Sequence, residues 1–183
     1  KQPSPEYIHE KIQKAEKIID DLSNTINNFK KFYKSDETRA VFSIGKLIRD
    51  CTMMIGVDTE KNIEITINEL KDISIETVQN EFSQAILNIV INSRDALLER
   101  HIKNPRITID IDMDGDRPII TISDNAGGID ERYLSRVFEP YFTTKDDATG
   151  MGLYMSKMII EENMGGAIAL ENNEDGAVVT ITL

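Results

Sequence analysis

Apolar positions near the start of the chain recur in heptads. Ile8, Ile12, Ala15, Ile19, Leu22, Ile26, Phe29 and Tyr33 are separated by alternating steps of four and three, the seam of a helix that packs against other helices. Ser4 stands as its N-cap with Pro5 at the first helical position. Ile18, Thr25 and Phe32 widen the stripe beyond a two-stranded seam, which favours a helical bundle. The polar stretch "KSDETRA" then breaks the pattern, and the period begins to switch between helix and strand. "IGKLIRDCTMMI" (44–55) is predicted as a helix, "NIEITINEL" (62–70) as a strand and residues 78–100 as a long helix. "RITIDIDMDGDRPIITISD" (106–124) alternates with period two on both sides of Asp114-Gly115-Asp116, a hairpin signal. Residues 151–164 predict another helix, and "GAIALENNEDGAVVTITL" closes as a second hairpin. The expected architecture is an α/β two-layer sandwich over 39–183, with a mixed, mostly antiparallel sheet and helices on one face. A long heptad helix over 1–38 precedes it.

Composition narrows the function. With 183 residues and 40% hydrophobic content, the chain can form one domain with a proper core plus a small appendage. No apolar run approaches the roughly 18 residues of a membrane span, and "KQPSPEYIHE" lacks a signal-peptide apolar region. No membrane contact is expected of this stretch, whatever anchors the parent protein. The single Cys51 excludes an intrachain disulfide and fits a reducing, cytoplasmic compartment. Of 21 basic and 32 acidic residues, seven of each fall in 1–38, so the net charge of -11 belongs to the remainder. So acidic a domain repels nucleic acid. A compact polyphosphate can still bind if a divalent cation and oriented backbone N–H groups supply positive charge.

Three stretches meet that requirement. At about 100° per residue, Glu81, Asn88, Asn92, Asp95 and Glu99 share one narrow face of the 78–100 helix. That stripe reads either as a solvated edge or as carboxamide oxygens facing a cavity, where hard ligands suit Mg²⁺. "TISDNAGGIDERY" ends a strand at Asp124 and runs into Gly127-Gly128, which let the backbone approach a flat ligand. Asp124 can accept a hydrogen bond from an exocyclic amine such as that of adenine. "ATGMGLYMSKMII" places Gly150 and Gly152 at a helix start, where free N–H groups favour phosphate. Taken singly, each stretch is also ordinary turn or helix-entry chemistry.

In order and together, "NIVINSRDAL", "DNAGGI", "FEPYFTTK" and "TGMGLYMSKMII" resemble the asparagine, first glycine, phenylalanine and second glycine boxes of sensor histidine kinases. Those kinases share an ATP-binding domain with gyrase, the mismatch-repair ATPase and the heat-shock chaperone. The resemblance implies ATP and Mg²⁺ held between the asparagine-box helix and a mobile lid over about 130–149. It also implies a homodimer through a helical bundle and a response regulator receiver domain as partner. Carried over residue by residue, Asn92 matches the Mg²⁺ ligand and Asn88 lines the phosphate side. Asp124 matches the adenine reader and Gly128 the close-approach glycine, with Ile129 beside it. Phe142, Thr143, Thr144 and Lys145 belong to the lid, which Phe138 anchors. Gly150 and Gly152 face phosphate, flanked by Met151 and Leu153. Asp95 stands where many such kinases carry a basic residue, so Arg94 or Lys145 is expected to compensate. Ala126 and Ala148 replace glycines of the two glycine boxes.

The hydrolytic branches place a glutamate, the base for water, four residues before the metal asparagine. Here that residue is Asn88, an amide that cannot take a proton. Glu81 lies two turns away. Phosphoryl transfer to a histidine is therefore expected over a clamp-type ATPase or a silent nucleotide-binding scaffold. His9-Glu10 has the acceptor dipeptide, yet Gln13 and Lys14 occupy positions that Thr or Asn and Pro fill in the family. The acceptor histidine is expected on another helix, and His101 is expected to be structural.

Overall fold

The computed structural model describes residues 38–56, 63–145 and 148–183. The heptad seam, His9 and all but the last residue of the expected helix over 1–38 lie outside the described residues.

Period-two isoleucines build the main sheet. Strands β2 (Glu64–Glu69), β4 (Arg106–Asp114), β5 (Arg117–Asp124), β6 (Ala167–Asn172) and β7 (Ala177–Thr182) run in the order β2-β4-β5-β7-β6. The β2–β4 pair is parallel and the other three are antiparallel. The register aligns Ile67 with Ile109, Ile109 with Ile122, and Ile122 with Val179, so one face of the sheet is apolar throughout. Against that face pack α1 (Ile44–Gly56) and α2 (Gln79–Glu99), the latter through Phe82, Ile86, Ile89 and Val90. A short helix α3 (Glu131–Leu134) lies in the expected lid. Helix α4 (Gly152–Lys157) continues without interruption into a π-helical turn (Met158–Asn163). The expected helix over 151–164 is thus present, but its second half is wider, with Met164 N donating to Ile159 O five residues back.

Two strands escape the sequence pattern. Strand β1 (Ala40–Ser43) begins on the last residue of the "KSDETRA" stretch, and it pairs antiparallel with β3 (Ser74–Thr77), aligning Val41 with Glu76. Four residues are too few to display a period, and the partner lies over thirty residues away. The pair anchors α1, whose Ile44 N donates to Ile73 O at 2.8 Å, while the Phe42 ring stacks 6.0 Å from Phe82 of α2. Cys51 is buried against α2, and burial pushes its thiol pKa up, leaving it inert at neutral pH.

Candidate functional site

The cavity and its helical wall

A cavity of about 680 Å³ lies between α2 and the chain that follows β5. Asn88 and Asn92 line one end and Glu99 and Arg100 the other. The side-chain amide of Asn88 donates through Nδ2 to Gly152 O at 3.1 Å and to Ser156 Oγ at 3.4 Å. With its donors committed to α4, Asn88 keeps Oδ1 as an acceptor. Gly152 faces the same spot: a Cβ there would be 3.9 Å from both asparagine side chains.

The polar stripe of α2 splits three ways. Glu81 is buried away from the cavity, accepting from Asn163 Nδ2 at 2.9 Å, because the helical segment 152–163 covers that turn. Asp95 is not part of the cavity wall. Its carboxylate is held between Arg94, at 2.9 Å, and Lys145, at 3.2 Å. Both expected cations thus meet at the acid rather than one replacing it, and Lys145 lines the cavity from the lid side.

The base end and the lid

Asp124 is buried at the end of β5, and its Oδ1 accepts from Ala126 N at 2.9 Å and Ala177 N at 3.3 Å. Oδ2 has no hydrogen-bond partner among the described residues and is available to the cavity. Gly128 and Ile129 line the wall beside it. Ala126 is tolerated in the glycine box because only Gly127 and Gly128 there take positive φ, 85° and 74°. Ala148 likewise sits at the cavity without a positive φ.

Phe142, Thr143 and Thr144 line the cavity from the lid. The Phe142 ring lies 5.6 Å from Tyr133 and has the Arg136 guanidinium 4.6 Å over it. Phe138 packs against the core, as an anchor requires, with Lys157 Nζ 5.6 Å from its ring. Asp130 caps α3 by accepting from Arg132 N, and the guanidinium of Arg132 holds its carboxyl down to about 2. Leu153 lines the cavity, whereas Met151 is buried in the core and contributes no wall.

Gly150 lines the cavity and also closes the neck of the lid. Its φ is 69°, and a Cβ would lie 2.5 Å from Tyr141 C and 2.7 Å from Phe142 N, backbone atoms that cannot swing aside. Tyr141 itself is left-handed at φ 64°, a conformation costing an ordinary residue about 1–2 kcal/mol. Gly150→Ala is expected to part the neck, with about tenfold weaker ATP binding and faster proteolysis between residues 142 and 150. Unchanged cleavage of the lid would show that the close approach is dispensable.

Sequence reasoning missed Arg100, Ser156 and Asn172. Arg100 and Asn172 grip the first glycine box, and Ser156, fully buried, receives the Asn88 amide. Arg100 and Asn172 stand at the ends of a helix and a strand, where a polar residue carries no periodic signal, and Ser156 is a single small polar residue within a helix, so nothing local marks any of them. His101 is structural as expected: it adopts φ 52° and closes α2, with Ile102 N donating to Leu97 O.

Relation to known proteins

A five-stranded sheet backed by helices, with a cavity between its long helix and a covering loop, defines an α/β sandwich with a ligand-sized cleft. Residues 77–183 match the family described as histidine kinase-, DNA gyrase B- and HSP90-like ATPase, and the chain belongs to that family. Among its relatives, the sensor histidine kinase ZraS of Salmonella typhi is 32% identical over 182 residues, 96% of this chain. Sporulation kinase E of Bacillus subtilis is 30% identical over 142 residues, 76% of this chain. The chain spans 38% of the length of the first and 19% of the second. Among solved structures, the nucleotide-free catalytic domain of the histidine kinase ThkA matches with a TM-score of 0.71 at 27% identity, covering 79% of this chain and 94% of that one. The complex of ThkA with the response regulator TrrA matches over 100% of this chain and 52% of that one, with a TM-score of 0.73; at 23% identity it shows the fold alone. The domain is an ATP-binding catalytic domain of the histidine-kinase type. Among the described residues, no helix is long and apolar enough to cross a membrane.

Proposed function

We propose that this chain binds ATP with Mg²⁺ and transfers the γ-phosphate to a histidine on a helical bundle, from which a response regulator receives it. The carrying observation is the amide at position 88, its donors committed to Gly152 and Ser156. The acids nearby are poorly placed to activate water. Glu81 is buried and bonded to Asn163, both oxygens of Asp95 already accept from cations, and Glu99 lies about 16 Å along the helix from Asn88. The phosphate end can position and neutralise a nucleotide but offers no base for hydrolysis.

The donor set suits Mg²⁺ in one specific way. No cluster of three or more His, Cys, Asp or Glu side chains that could hold a metal occurs among the described residues. An ion that keeps waters and is shared with substrate phosphates needs only one or two protein oxygens, and the Asn92 carboxamide is the residue that would hold it. When bound, the ion would offset phosphate charge. Lys145, now on Asp95, is within the lid to add a second cation, and the Gly150–Gly152 backbone borders the same end. Asp124 reads the base through Oδ2. Residues 1–38 are proposed to contribute a bundle helix, and hence a homodimer interface in the parent protein.

The test is phosphotransfer from γ-labelled ATP. The chain alone should bind ATP–Mg²⁺ and incorporate no label, while a separate bundle fragment carrying an acceptor histidine should gain acid-labile label in its presence. Label on His9 of the isolated chain would relocate the acceptor, and rapid release of phosphate to water would move the protein into the ATPase class.

A further inference from the structure

One side chain holds two carbonyls of the first glycine box. Arg100 follows α2 as its C-cap, fixed by Arg100 N donating to Ala96 O and by the left-handed turn at His101. Its Nη1 donates to Ala126 O at 2.5 Å and to Gly128 O at 2.7 Å. Asn172, the last residue of β6, holds the next residue of the loop, donating to Ile129 O at 2.6 Å and accepting from Ile129 N at 2.8 Å. A Cβ on Gly128 would lie 2.7 Å from Asn172 Oδ1, so the loop is seated against that side chain.

This grip answers a need of the loop. Gly127 and Gly128 are successive residues at positive φ, and glycine visits both signs of φ almost equally, so the segment does not hold one conformation by itself. Charge-assisted hydrogen bonds from a planar, forked guanidinium fix carbonyls in direction as well as distance. Arg100 also caps the helix that carries Asn92 and Asn88, eight and twelve residues earlier. That rigid stretch spans about 12–18 Å, so the same element sets the spacing between the phosphate end and the base end.

We propose that Arg100 is a positioning residue for the purine base: with Asn172 as its counter-hold, it fixes the Gly128 backbone relative to Asp124 and so sets the preference for adenine. The inference rests on the nucleotide-binding reading above. Losing a hydrogen bond to a charged group corresponds to about tenfold in affinity, and Arg100→Ala should weaken ATP and ADP alike by about that factor. The ATP-over-GTP preference should shrink with it, while the factor by which Mg²⁺ tightens ATP stays at its wild-type value. Arg100→Lys should fall between, and Asn172→Ala should reproduce the loss of base preference by releasing Ile129.

Calorimetric titration of the full chain with ATP, ADP and GTP, each with and without Mg²⁺, separates the outcomes. A wild type that prefers ATP and an Arg100→Ala variant with the same preference would overturn this inference and leave nucleotide binding standing. Loss of the Mg²⁺ factor together with base preference would assign Arg100 to general stability and also overturn it. A wild type that binds no ATP would remove the nucleotide reading itself.

Discussion

Replacing Asp124 by asparagine is expected to lower ATP affinity about tenfold to a hundredfold while sparing GTP, because a buried polar group left facing a like group costs about 1–3 kcal/mol. The direction follows from the two backbone donors on Oδ1, Ala126 N and Ala177 N. They require an oxygen at that position, so an asparagine must turn its amide nitrogen toward the cavity. An adenine amine would then meet a donor, whereas the O6 carbonyl of guanine would meet a partner. Wild type should accordingly prefer ATP. The carboxylate and carboxamide are nearly the same shape, so the fold is not disturbed and competitive titration of the two nucleotides reads the effect directly. Equal affinity of wild type for ATP and GTP would dispose of Asp124 as the base reader.

Asn92→Ala is expected to abolish the Mg²⁺-dependent part of ATP affinity. Removing even an outer-shell partner of a metal ligand costs about 10–100-fold in metal affinity, and here the ligand itself is removed. Asn92 sits on the cavity side of α2, half-buried, and the core-facing positions Ile89, Val90 and Leu97 are untouched by the change. Thermal unfolding should stay near wild type, since a half-buried surface truncation in a helix replaces one residue with a better helix former. An identical magnesium dependence in wild type and variant would show that the ion is held elsewhere. Asn88→Ala is a useful contrast within the same titration, since its amide ties α2 to Gly152 and Ser156 and its loss loosens a packing contact as well.

The five-stranded sheet and the three longer helices were legible in the sequence because their signals are periodic. The alternating isoleucines of β4 and β5 put one residue in two on a single face, and a slip of one position would expose the whole set, so pattern and register coincide. The narrow polar stripe of α2 was equally visible, as were the glycines that later proved to take positive φ at positions 127, 128 and 150. Residue chemistry alone also settled that position 88 carries an amide and not a base.

Tertiary structure decided what those residues face. One stripe on one helix met three environments: Glu81 is covered by segment 152–163, Asn88 and Asn92 look into the cavity, and Asp95 is taken by Arg94 and Lys145. Helical periodicity fixes an angle about the axis and says nothing of what stands opposite each turn. Strands β1 and β3 found each other only in the folded chain, being too short to carry a period. Arg100 and Asn172 reach the glycine box across 26 to 43 residues of sequence, and a hydrogen bond between element ends depends on where those ends arrive. The sequence by itself therefore determined the fold class and the chemical kinds of group available, since both rest on local periodicity and residue type. Only the packed structure decided which groups share the cavity and which hold its walls, because burial and hydrogen-bond partnership are set by neighbours distant along the chain.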